Sequence, residues 1–137
     1  MTSDQPGSLA WVARLCRDES TVDRHWAEVL GRDAVGSGPG ERQRFLIAAS
    51  HRHADLADRW DARLPITDDT ARMLVDSPSP PAGDIETYRA ATAERSQRLA
   101  AQRSGIDPLC DPATDTLITE AIRSLSQLVD EAGRAGV

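Results

Sequence analysis

Apolar residues return every three or four positions along four stretches of this chain and nowhere alternate with period two, so the pattern predicts four helices and no strand. Ser8 stands as an N-cap before a run whose stripe reads Val12, Leu15, Glu19, Val22, Trp26 and Val29, and Gly31 offers a stop, giving a first helix over about 9–30. A second stripe, Leu46, Ala49, His53, Leu56, Trp60 and Leu64, predicts a helix over about 41–64 that Pro65 ends. Asp84 caps a third helix over about 85–103, carried by Ile85, Tyr88, Thr92, Arg95 and Leu99. The fourth has the clearest punctuation. Asp111 and Pro112 open it, Leu117, Ile118, Ala121, Leu125 and Leu128 run along it, and Gly133 follows, giving about 112–132.

The connections organise these helices. Those from one to two and from three to four are short, which favours antiparallel neighbours, whereas 65–83 is long. A helix of about 22 residues is about 33 Å long, and a connection of that size can return along it. The expected architecture is therefore all-α: a four-helix bundle of two hairpins joined by a long crossover between helices two and three, filling a single domain, 1–137. An up-down bundle with a long middle loop is the alternative arrangement.

Composition narrows the function classes. A formal charge of -6 and a pI near 5.0 argue against nucleic acid and anionic membrane as partners, since both need clustered cations. All basic residues are arginine, and asparagine is absent, a bias of GC-rich bacterial coding. Cys16 and Cys110 have no metal or disulfide spacing and read as reduced thiols, the second expected to be the more reactive. No basic leader with an apolar stretch and no run of 18 apolar residues occurs, so a cytoplasmic location without membrane association is expected. No glycine-rich phosphate loop or GxSxG motif is present. Trp11, Trp26 and Trp60 fall at helical spacing and read as core before they read as a ligand-facing wall.

The candidate chemistry lies where polar residues enter the apolar stripes. Glu19 is seven residues from both Val12 and Trp26, and a carboxylate there needs a partner or a proton. A hairpin centred near Val35 brings Glu19 opposite His53, and counting in from the helix ends puts 94–98 and 118–122 at similar height. One polar layer at mid-bundle follows. Without metal, it is expected as a hydrogen-bonded cluster of Glu19, Ser50, His53 and Arg95.

The segment SHRHADLADRW, at 50–60, resembles the ExxH second-helix pattern of the di-iron members of the ferritin-like four-helix-bundle superfamily. That resemblance implies a metal set of Glu19, His53, Glu94 and Glu120 for iron or manganese. The set is degenerate, because Ser50 stands where the motif has glutamate and Arg123 stands where a histidine would follow Glu120. The function expected is a binding or protein-interaction module without a metal cofactor, forming a homodimer, meeting a protein partner or carrying a small apolar ligand. An oxidoreductase or oxygenase using two irons or manganese at the carboxylate–histidine layer is the enzymatic alternative. An accessory role in a transcription or stress-response complex is a third.

Overall fold

A computed structural model describes residues 7–63 and 85–135, and among them there are four helices and no strand. They are α1 (Leu9–Gly36), α2 (Glu41–Arg63), α3 (Ile85–Arg103) and α4 (Pro112–Ala135). The Ser8 side chain accepts a hydrogen bond from the Trp11 backbone N–H at 3.2 Å, which meets one of the donors that every helix start leaves unpaired. Asp111 does the same for Thr114 at 3.2 Å, with Pro112 in the first helical position. Asp84 and Leu64, assigned above to helix ends, lie outside the described residues, as does the crossover segment 65–83.

Gly31 does not stop α1, which runs on to Gly36. The glycine instead lets α2 come close: a Cβ on Gly31 would sit 3.2 Å from the Ser50 hydroxyl, which itself donates to the Ala27 carbonyl at 2.7 Å. The turn into α2 is held from the far side by Gln43, whose side-chain amide donates to the carbonyls of Ala34 and Ser37 at 3.0 and 3.3 Å. Gly40, just before α2, has φ +150°, a conformation that disfavours any side chain.

Helix directions follow from pairs of partners. Along α2 and α4, Arg52 meets Gln127, Arg59 meets Glu120, and Arg63 meets Asp111, so the two are antiparallel. Along α1 and α3, Trp26 packs on Tyr88, Asp23 pairs with Arg95, and Glu19 reaches Arg98, so these are antiparallel as well. Since α1 and α2 form a hairpin, α2 and α3 point the same way. The chain therefore leaves Arg63 at one end of the bundle and re-enters at Ile85 toward the other, which is the two-hairpin topology with one crossover rather than up-down-up-down.

Leu15, Trp26, Leu46, Leu56, Trp60, Tyr88, Leu99, Ile118, Leu125 and Leu128 fill the space between the four helices. Ile118, Leu125 and Leu128 are wholly buried, and at roughly 1.5–3 kcal/mol for each large apolar side chain they anchor α4 most firmly. The α3 stripe is buried as the spacing predicts, through Ile85, Tyr88, Thr92, Arg95 and Leu99. Three of those five are polar or charged, so α3 is held in the bundle as much by specific partners as by apolar burial.

Candidate functional site

Asp23 sits at the centre of the mid-bundle layer with no exposure to solvent. Its position, four residues after Glu19 and three before Trp26, puts it on the same face of α1 as both. Oδ1 accepts from His53 Nδ1 at 2.7 Å and from an Arg95 guanidinium nitrogen at 2.8 Å. Oδ2 accepts from the other terminal nitrogen of Arg95 at 2.8 Å and from Trp60 Nε1 at 3.0 Å. The third nitrogen of Arg95, Nε, donates to Glu19 Oε1 at 2.6 Å. The side chains of Glu19 and Arg95 are each 4% exposed, so one buried cation lies between two buried carboxylates and fastens α3 to α1.

The electrostatics are consistent with that wiring. Burial pushes the Asp23 carboxyl up, but the adjacent Arg95 charge and the bonds from Arg95 and His53 outweigh it and hold the group below its ordinary 3.8. Burial would lower Arg95, yet Asp23 and Glu19 raise it above the ordinary arginine value, so it stays charged. His53 is lowered from 6.5, chiefly by burial and against the pull of Asp23. A neutral His53 that gives its Nδ1–H to Asp23 must accept at Nε2, and the Tyr88 hydroxyl lies 2.8 Å away to donate. Burial keeps that phenol protonated by raising its pKa. Every polar atom of His53 is then satisfied.

An acid limb of stability follows. The unfolded chain takes up a proton at the ordinary histidine pKa of 6.5, and the folded chain resists it at His53, so the His53 contribution is full above pH 6.5 and declines as pH falls below it. Asp23, lowered from 3.8, adds a second decline below that value. Urea midpoints measured from pH 7.5 down to 4 are expected to fall steadily below pH 6.5, and a His53→Gln variant is expected to lose the upper part of that slope. A wild-type midpoint that holds constant down to pH 5 would contradict a buried neutral histidine.

The anticipated partners are brought together in part. Glu19 and Arg95 pair as expected, but Glu19 does not face His53; Asp23 does. The cause is the length of α1: the hairpin turns at 37–40 instead of near Val35, which moves the α1 residue level with His53 one turn along. Ser50 is not in the cluster, since its hydroxyl goes to the Ala27 carbonyl. Glu94 is exposed. Glu120 is half-buried on the outer α2–α4 seam, where it pairs with Arg59. The four residues Glu19, His53, Glu94 and Glu120 thus do not converge, and among the described residues no group of three or more His, Cys, Asp or Glu side chains is placed to hold a metal ion.

Cys16 is wholly buried, and burial pushes its thiol up to about 12, an inert group. Cys110 is exposed and so the more accessible of the two thiols, but it donates to Asp107 at 3.3 Å, and that bond raises its pKa. Trp26 and Trp60 are core, whereas Trp11 is half-buried at the mouth of a groove between α1 and α3. No described helix is long and apolar enough to cross a membrane. No protein-family model, curated protein or solved structure matches this chain.

Proposed function

We propose that this chain is a degenerate ferritin-like bundle whose mid-core layer serves architecture, and that it acts as a binding or protein-interaction module. One observation carries the reading. The two side chains best placed to ligate a core metal are already engaged, Glu19 by Arg95 and His53 by Asp23 and Tyr88. A divalent ion there would have to displace a guanidinium that fills the space between the carboxylates, and it would need further ligands from Glu94 and Glu120, which point elsewhere. Charge neutralisation that a metal supplies in a carboxylate layer is supplied here by Arg95, which cannot exchange or change oxidation state. An oxidoreductase using iron or manganese needs open coordination positions, and this layer presents hydrogen bonds in their place.

Elemental analysis of protein purified without chelator, and again after anaerobic incubation with ferrous iron or manganese, tests the reading. The expected content is well below one ion per chain under all three conditions. About two ions per chain, lost in a His53→Ala variant, would overturn it and restore the di-metal oxidoreductase.

A further inference from the structure

Among the described residues, Leu9, Val35, Ile47 and Leu109 are the large apolar side chains that stand in solvent, and two of them share one place. Val35, 84% exposed, and Ile47, 43% exposed, line a recess of about 260 Å³ between α1 and α2. Gly31 has no side chain there and Ala34 and Ser50 have short ones, which leaves room for an aliphatic side chain from outside. An exposed apolar knob beside an apolar recess is the composition of a contact surface.

The charges on this face have a direction. Ile47 lies on the solvent-facing stripe of α2 with Arg44, Ala48, His51 and Asp55, all exposed and recurring at helical spacing. Among the described residues, the side chains of Arg44 and Asp55 have neither a hydrogen bond nor an ion pair. Their neighbours do: Asp58 is met by Arg24 at 3.5 Å, and on α1 Glu28 pairs with Arg32 at 3.1 Å. The stripe therefore carries an unpaired cation toward the start of α2 and an unpaired anion toward its end, with Ile47 between them. Two such stripes repel when laid parallel, Arg44 on Arg44 and Asp55 on Asp55, and attract when laid antiparallel.

From this arrangement we infer that the chain pairs with a second copy of itself, α2 against α2 in antiparallel, about a twofold axis that crosses the helix between Ala48 and His51. That axis sets Arg44 opposite the partner's Asp55, and the symmetry makes the pair twice. It also brings Ile47 of each copy level with the partner's Ser50 and His51, where its side chain enters the partner's recess. The methyl group of Ala48, near the axis, lets the two helices approach closely. The inference rests on the interaction-module reading and names the partner.

Sedimentation velocity of the full chain from micromolar to submillimolar concentration tests it, and the wild type is expected to pass from monomer to dimer across that range. Ile47→Glu and the single reversals Arg44→Glu and Asp55→Arg are each expected to raise the dimer Kd at least about tenfold, because each buries a charge in the apolar contact or sets like charges face to face. The double variant Arg44→Glu/Asp55→Arg restores opposite charges across the axis and is expected to return to within about threefold of the wild-type Kd. That rescue rules out both unfolding and a dimer built on another face. A chain that stays monomeric at every concentration, a dimer indifferent to Ile47→Glu, or a double variant as weak as the single ones would each overturn the inference. Metal content separates the two levels of the reading: a metal-free monomer loses only this pairing, whereas bound metal removes the interaction-module reading itself.

Discussion

Replacing Arg95 by methionine is expected to cost about 3–5 kcal/mol of stability, because it strands the buried carboxylates of Glu19 and Asp23 without a counter-charge. The substitution keeps most of the aliphatic stem and helix propensity, so neither lost packing nor α3 itself accounts for the loss. In a chain of this size that corresponds to a fall in Tm of roughly 10 °C or more. Arg98→Met is the matched control. It removes an arginine one turn along that touches the same glutamate, but from a half-exposed position, and its cost is expected to stay within about 1 kcal/mol. Urea unfolding of the two variants checks the contrast. Near-equal small losses would mean that the layer does not hold α3 to α1 through charge, and the architecture would then rest on Tyr88, Leu99 and the α4 core alone.

Trp60→Ala is expected to cost about 3–5 kcal/mol by a different route. The indole is wholly buried, and its removal leaves a large cavity that surrounding helices refill only in part. It also takes away the donor that Trp60 Nε1 gives Asp23 Oδ2. Trp60→Phe separates the two contributions, since it keeps most of the aromatic volume and loses the N–H. The phenylalanine variant is expected to cost about 1–3 kcal/mol, the range for leaving a buried acceptor short of a partner. If alanine and phenylalanine cost the same, packing at this position is negligible and the hydrogen bond carries everything. If phenylalanine costs nothing, the Asp23 bond is dispensable.

The helices were legible because each apolar stripe is long, and its ends carry capping residues whose chemistry is local. The crossover was legible from loop length, and the ladder of partners from Arg52–Gln127 to Arg63–Asp111 supplies the direction that length alone could not. What the pattern hid was register. Gly31 carries the usual stop signal, yet glycine also serves close helix approach, and only the contact with Ser50 tells the two uses apart. That single ambiguity displaced the polar layer by one turn and passed over Asp23, the residue on which the layer converges. A signal for Asp23 was present: it lies one turn from Glu19 and Trp26, next to the apolar stripe, as Tyr88 and Arg95 lie on the α3 stripe. Read as partners across helices rather than stripe by stripe, these residues form a set of matched donors and acceptors. Arg95 was recognisable from its stripe alone, because an arginine at a core position requires carboxylates to face it. The groove at Trp11 was not, since it depends on how far α1 and α3 stand apart.

The central claim is that the middle of this bundle is a closed hydrogen-bonded layer in which a neutral His53 links Asp23 to Tyr88. Long-range proton–nitrogen NMR on histidine-labelled protein reads that state directly, since Nδ1 and Nε2 differ in shift according to which carries the proton. His53 is expected to show the Nδ1–H tautomer and to stay neutral as pH is lowered from 7.5 through 6. A His53 that carries its proton on Nε2, or that becomes a cation at pH 6.5 or above, would contradict it.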